Sequence, residues 1–287
     1  MNFILGVGAQ KAGTTLLYDL LSQSKQVDVA AGNEFQSKEL HYFDKVANPS
    51  LNEYAGLFEN KRQYKLDITP DYMFYPNAIE RIHKTLPKEN VKLIALLRNP
   101  LERAESHYYM SRRRGFEKQR FERTLELEPE RMSTSDFYFR EMSYFARGKY
   151  YAQVKKLYDY FPRQNIKIVI FEDFIKSQQE TLNDICDFLH IKRIEIKPVH
   201  SHKGYDVRFK FLPKFFNIYG KRIEELLPHN VFLTLRTFYR RMNRTDVKKY
   251  KIDQNFIKEL ENYYDQDIQK LKKLLDRDLS QWSIESK

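Results

Sequence analysis

Apolar positions along the chain fall into two alternating rhythms. Phe3–Val7 is a continuous apolar run of strand length, and Thr15–Ser24 follows it with apolar residues at helical spacing. A second short strand is expected over Gln26–Ala30, a helix over 50–60, an extended run over Tyr64–Ile68 and a helix over Asn77–Thr85. Val91–Leu97 is the clearest strand, apolar without alternation as a parallel strand covered on both faces should be. Asn99 and Pro100 then supply an N-cap and a first-turn proline for a helix through Ser111. Lys149–Phe161 has the pattern of an amphipathic helix stopped by Pro162, Ile166–Phe171 of another strand, and 177–189 of the helix after it. Strands alternating with helices predict a three-layer α/β fold with a mainly parallel central sheet.

From about residue 205 the pattern changes: no strand is evident, and Lys, Arg, Phe and Tyr crowd together. Phe256–Leu275 keeps helical periodicity, which predicts a helical C-terminal cover over the α/β core. Residues 1–287 are therefore read as a single domain, with the α/β core over about 1–205 and the helical region over about 206–287.

Composition narrows the partners. A hydrophobic content of 41% supports a true core, and only 9 Gly and 10 Pro argue against disordered or fibrous classes. Fifty Lys plus Arg against 39 Asp plus Glu give a formal charge of +11, which favours an anionic ligand without choosing one. The single cysteine, Cys186, rules out an intrachain disulfide, and its apolar setting over Leu182–Leu189 marks it as helix core. No stretch has the ~20 apolar residues of a membrane span, and the N-terminus lacks a charged and cleavable leader. A cytoplasmic chain is expected; a catalytic domain trimmed from a membrane-anchored parent fits the same facts.

The chemistry starts at Gly8–Thr15. Gly8 and Gly13 have Walker A spacing, which would let backbone wrap a phosphate at a helix N-terminus and gives the fold a P-loop-like character. Thr14 occupies the place of the Walker lysine, and the available cation, Lys11, lies inside the loop. A nucleoside triphosphatase would place that lysine on the β- and γ-phosphates beside Mg²⁺. Lys11 with paired threonines suits one phosphate carrying a terminal sulfonate, with Lys11 beside the bridging oxygen. Arg98 then closes the best strand and Ser106 stands two turns into the next helix, where an Arg fork and a hydroxyl can hold a second phosphate.

With these motifs the chain resembles the sulfotransferase superfamily that uses 3′-phosphoadenosine-5′-phosphosulfate. Lys11–Thr15 looks like its 5′-phosphosulfate loop, and Arg98 through Ser106 like its 3′-phosphate motif. The heparan-sulfate glucosaminyl branch and its bacterial relatives are the nearer match. Lys38-Glu39-Leu40-His41-Tyr42-Phe43-Asp44, Pro76–His83, Ala146–Tyr150 and Tyr160–Arg163 carry that likeness, and the ending Asp276–Trp282 resembles bacterial members. The similarity spans roughly residues 3–205. Two departures stand out. Asp67-Ile68-Thr69-Pro70 replaces the family's Glu-Lys-Ser/Thr-Pro, so a lysine near the sulfonate is missing, and Lys65 is a candidate substitute. The animal branch's later Lys-Gly-Arg stretch is not recognisable, which leaves Lys203, Gly204 and Arg208 as local candidates at the 3′-phosphate end.

The resemblance implies sulfuryl transfer to a hydroxyl or amine, with a carbohydrate or glycoconjugate as the expected acceptor. It assigns donor binding to Lys11, Ala12, Gly13, Thr14, Thr15, Arg98 and Ser106, and the general base to Glu39. His41 is the second candidate base, or with Asp44 an orienting group that holds acceptor hydroxyls. For Glu39 the alternative is a surface ion pair with Lys38. Arg112 and Arg113 are candidates for an anionic acceptor, or part of a solvated loop; one of Tyr108 and Tyr109 should be core, and the acceptor loop is expected within 112–146. No metal is required, and the seven histidines show no ligand spacing. A P-loop-type kinase and a basic nucleic-acid-binding protein are the rival readings; Thr14 opposes the first and the lack of a groove-reading motif the second. The basic aromatic stretch Val207–Arg244 also suits a peripheral membrane contact.

Overall fold

In the computed structural model, residues 1–31, 37–59, 62–196, 206–207, 244–245 and 252–283 are described. Five strands form one parallel sheet: β1 (Asn2–Gly8), β2 (Val27–Val29), β3 (Tyr64–Asp67), β4 (Val91–Leu97) and β5 (Ile166–Ile170), in the order β2-β3-β1-β4-β5. Register sets Leu5 of β1 between Asp67 of β3 and Leu93 of β4. Phe3, Ile4, Leu5 and Val7 are fully buried, as are Val91 and Leu93 through Leu97. Burial on both faces explains why neither run alternates. Because β1 is central, its carboxyl end at Gly8 lies between the ends of β3 and β4, where open α/β sheets bind ligands.

Chain contacts divide into two compact units. The first is Met1–Arg103, Ala146–Val199 and Glu261–Lys287; the second is Ala104–Phe145 and His200–Leu260. Helices Thr14–Leu21, Ala78–Thr85, Tyr150–Tyr160 and Gln178–Leu189 flank the sheet of the first unit. An unexpected helix, Phe171–Lys176, follows β5 directly, while the helix expected over 50–60 shrinks to Leu51–Ala55. Asn99 caps helix Pro100–Arg113 as anticipated, its Oδ1 accepting from Leu101 N at 3.0 Å and Glu102 N at 3.2 Å. Cys186 is fully buried in the core cluster. From helix Gln254–Leu275, Leu271 joins that cluster and the Asp267 carboxylate accepts from Tyr150 N at 2.7 Å, so residues 261–283 pack on the α/β core, whereas residues 252–260 belong to the second unit. Trp282 closes it: Asn99 Nδ2 donates to its carbonyl at 3.0 Å, and its indole Nε1 donates to Glu172 Oε2 at 3.1 Å.

In the second unit the stretch 112–145, within which the acceptor loop is expected, is mostly helical, as Phe121–Thr134 and Asp136–Glu141. Its core is aromatic, with the Phe121 ring 5.0 Å from Tyr108, 5.1 Å from Phe145 and 5.7 Å from Phe256. The buried Glu117 carboxylate pairs with Arg131 at 2.6 Å and accepts from the Tyr144 hydroxyl at 3.2 Å. Charge satisfied internally lets a helical pair form in a polar stretch. The tail is not strand-free: Asp206–Val207 pairs antiparallel with Arg244–Thr245. Among the described residues no helix is long and apolar enough to cross a membrane.

Candidate active site

The loop after β1 is built mainly by backbone. Gly13 has φ +91°, and a Cβ there would lie 2.7 Å from the Phe171 ring, so only glycine fits. Lys11 is also left-handed, at φ 72°. Ala12 and Thr14 are buried, Lys11 and Gly13 half-buried, and Thr15 exposed. Thr14, at the Walker-lysine place, thus points inward and offers no cation. The loop leads straight into helix Thr14–Leu21, whose first-turn N–H groups have no intrahelical acceptor.

Arg98, just past β4, leans on this loop. Its Nη1 donates to Lys11 O at 3.3 Å, its Nη2 to Glu102 at 3.0 Å, and the guanidinium lies 4.9 Å from the Phe171 ring centroid. Its buried Nε has no hydrogen-bond partner among the described residues, an uncommitted N–H that an anion would satisfy. Arg103 is fully buried and donates to Gln10 O at 3.4 Å, so a second arginine braces the loop from beneath. Ser106 lies on the same helix, half-buried, in the part that belongs to the second unit.

Across the β1 end stands the segment 38–44. Lys38 Nζ donates to Thr15 Oγ1 at 2.8 Å and to Glu39 Oε1 at 2.8 Å. The Lys38–Glu39 ion pair that was the alternative reading of Glu39 does form, but with side-chain exposures of 13% and 25% it is largely enclosed. His41 places Nε2 3.6 Å from Glu39 Oε2 and Nδ1 2.9 Å from Asp44 Oδ2 and 3.7 Å from Asp71 Oδ2. Buried Arg147 pairs with Asp71 at 2.5 Å and lies 4.5 Å from the Phe74 ring centroid. The result is a chain of alternating charge from Lys38 through Glu39, His41 and Asp71 to Arg147.

Charge states follow from the partners. Burial raises the Glu39 pKa, but His41 and Lys38 outweigh it and hold the carboxyl at about 2. Burial lowers that of His41, and bonds to Asp44 and Glu39 outweigh it in turn, lifting the imidazole to about 9. At neutral pH Glu39 is an ionised acceptor and His41 a charged donor. Of the two, only Glu39 can take up a proton from a nearby hydroxyl. The ligand atoms of His41, Asp44 and Asp71 lie within 4.8 Å of one another, but that set suits a cation only with a neutral imidazole.

A buried hub holds this segment against the end of β3. Asp67 is fully buried and accepts from Thr69 Oγ1 at 2.6 Å, Tyr72 OH at 2.7 Å, Tyr54 OH at 3.0 Å and Leu40 N at 3.4 Å. Ile68 N donates to Lys38 O at 3.0 Å, His41 N to Thr69 Oγ1 at 3.3 Å and Tyr42 N to Tyr72 OH at 3.1 Å. Desolvation raises the Asp67 pKa, while its hydroxyl donors and Leu40 N pull it back. His41 is locked at φ 50° within these bonds.

Several expectations need correction. Lys65 is no substitute for the missing lysine, because its Nζ is taken by Asp28 at 3.0 Å and Arg62 O at 2.6 Å within the sheet. Ile68 is fully buried, packed so closely that a Cβ on Gly6 would lie 2.5 Å from its Cδ1. Arg112 and Arg113 are in the last turn of helix Pro100–Arg113, not in a loop; Arg112 donates to Tyr108 OH at 2.9 Å, and Tyr108 is the core member of its pair. Lys203, Gly204 and Arg208 lie outside the described residues, as does most of Val207–Arg244. Asp67, Asp71 and Arg147 were not foreseen as a site. Arg147 sits in the motif Ala146–Tyr150, so the signal for it was present without a role attached.

The model of the sulfotransferase domain family matches residues 3–273. The chain is 27% identical over 256 residues to the mouse heparan sulfate glucosamine 3-O-sulfotransferase 6, covering 83% of this chain and 68% of that protein. It is 36% identical over 115 residues to the membrane-associated sulfotransferase kil1 of Dictyostelium discoideum, a match that takes in 38% of this chain but only 23% of that protein. A sulfotransferase from Alicyclobacillus acidocaldarius shares the fold, with a TM-score of 0.71 at 24% identity and 98% of both chains covered. With the family model spanning almost its whole length, the chain belongs to the sulfotransferase domain family.

Proposed function

We propose that residues 1–287 act as one sulfotransferase domain that moves a sulfuryl group from 3′-phosphoadenosine-5′-phosphosulfate to a hydroxyl or amine of a carbohydrate acceptor. The observation that carries this reading is the Lys38 bridge: one ammonium touches both Thr15 of the phosphate-type loop and the Glu39 carboxylate. A sulfonate seated at the loop would then lie beside an ionised proton acceptor. The donor supplies an activated S–O bond. Residues 11–15 and the helix N-terminus would hold its 5′ end, and Arg98 with its uncommitted Nε its second phosphate, for which the sequence also nominates Ser106. Glu39 takes the acceptor proton as the new O–S or N–S bond forms and the bond to the 5′-phosphate breaks. Lys11 offsets the charge left on that phosphate. His41 remains protonated and, held by Asp44 and Asp71, orients Glu39.

A carbohydrate acceptor is supported by the segment 38–44 and by the glucosaminyl specificity in the mouse relative's name. Incubation with ³⁵S-labelled donor and an array of glycans, lipids and phenols should label glycans first, and calorimetry should show binding of 3′-phosphoadenosine-5′-phosphate. No labelled acceptor together with no nucleotide binding would overturn the reading.

A further inference from the structure

Sulfuryl transfer at this site faces an electrostatic problem. The donor's sulfonate is anionic and Glu39 is an ionised carboxylate with an enclosed side chain. Two like charges a few ångströms apart in a partly desolvated site repel strongly, so a base close enough to serve the acceptor would also drive off the donor. A cation between them is needed. Ile68 cannot be that cation, being apolar and packed against Gly6, and Lys65 is consumed by Asp28. Lys38 is in the right place on three counts. Its Nζ already touches Thr15 Oγ1 on the loop side and Glu39 Oε1 on the acceptor side. An ammonium has three N–H donors, and those two contacts leave the third uncommitted among the described residues. Its main chain is pinned as well, since its carbonyl accepts from Ile68 N at 3.0 Å at the end of β3.

Resting on the phosphosulfate reading above, we infer that Lys38 is a catalytic residue that contacts the transferred sulfonate, filling from segment 38–44 the cationic place that Ile68 leaves empty just past β3. The ammonium then does two things at once. It neutralises the sulfonate as charge spreads over its oxygens during transfer, and it screens that charge from Glu39. As Lys38 turns part of its charge to the sulfonate, the Glu39 carboxylate loses stabilisation and becomes a better base.

The test uses the full chain with Lys38→Met, which keeps the apolar stem, and Lys38→Arg, which keeps the charge. Calorimetry compares 3′-phosphoadenosine-5′-phosphate, which lacks the sulfonate, with 3′-phosphoadenosine-5′-phosphosulfate in the absence of acceptor. Lys38→Met should weaken the phosphosulfate about tenfold or more while changing the bisphosphate less than about twofold. Lys38→Arg should keep the wild-type ratio of the two affinities. Transfer by Lys38→Met should fall about a hundredfold or more, as on removal of an oxyanion donor. Equal loss for both nucleotides would reduce Lys38 to a prop for the loop, and no loss for either would remove it from the site; each overturns the inference while the donor assignment stands. A wild-type chain that binds neither nucleotide overturns the donor assignment and this inference together.

Discussion

The loop Gly8–Thr15 and the segment 38–44 meet through one ammonium, yet they are built in opposite ways. The loop is set by local backbone: a strand end, a left-handed glycine and a helix start, all within eight residues. The segment has little regular structure of its own beyond the short helix Tyr42–Lys45. It is held by side chains and amides of the β3 end, Asp67, Ile68, Thr69, Asp71 and Tyr72, and through Asp71 by Arg147. Backbone-built sites tolerate most neighbouring substitutions, whereas sites built by a polar network fail when one buried member is lost.

The largest expected effect lies at the junction. Under the proposed mechanism, Glu39→Gln removes the proton acceptor and should lower transfer by about 10²–10⁴-fold. Affinity for 3′-phosphoadenosine-5′-phosphate should stay within about twofold, because the loop and Arg98 are untouched. Single-turnover rates and calorimetry on the same preparation check both halves. Retained transfer would move proton acceptance away from Glu39.

Next comes the hub. Asp67→Ala leaves the hydroxyls of Thr69, Tyr54 and Tyr72 without their shared acceptor, and buried orphan donors cost about 1–3 kcal/mol each where water cannot replace the bond. Urea unfolding should show a loss of about 3–9 kcal/mol. Transfer by the folded fraction should also fall, about tenfold, through loosened placement of Glu39. An intact kcat in stably folded Asp67→Ala would show that the hub serves the fold alone.

Legibility in the sequence divided along the same line. Strands β1, β4 and β5 were readable because each is a short run of mostly apolar residues, broken only by Lys92 in β4 and Lys167 in β5. Gly13 and the Asn99–Pro100 cap were readable because each acts within a few residues. The resemblance to the family rested on equally local motifs, Lys11–Thr15, Arg98 through Ser106 and Lys38–Asp44. Asp67 reads as an ordinary strand-end acid, and nothing in the spacing of Tyr54, Thr69 and Tyr72 announces that all three hydroxyls converge on it. The partnership of Asp71 with Arg147 spans two distant stretches of chain, which is information a single sequence holds only in its fold. Helices Phe121–Thr134 and Asp136–Glu141 were missed because charge dilutes their apolar stripe, with Glu117 and Arg131 satisfying each other inside.

A smaller effect should appear against pH. The His41 pKa is raised from 6.5 to about 9, so its contribution to stability is complete below pH 6.5 and is lost as pH rises through about 9. Wild-type chain should lose thermal stability across that window, and His41→Gln should not show this loss. Transfer should decline on the same alkaline limb, because a neutral imidazole no longer orients Glu39 by charge. Identical pH profiles for the two proteins would mean that His41 is neutral in the fold.

The smallest effect on transfer sharpens the contrast from the other side. Lys65 sits on the same short strand as the hub, yet its charge is spent inside the sheet on Asp28, which also accepts from Arg62 N at 2.9 Å. Lys65→Met strips one partner from a buried carboxylate and should cost about 1–3 kcal/mol of stability. Because Lys65 contacts neither the loop nor the segment 38–44 in its bonds to Asp28 and Arg62, transfer per folded molecule and nucleotide affinity should match wild type. Equal stability loss in Asp67→Ala and Lys65→Met, with transfer impaired only in the first, would separate a network that positions chemistry from one that merely holds a strand. Impaired transfer in both would place Lys65 at the sulfonate after all, and Lys38 would then have to share that role.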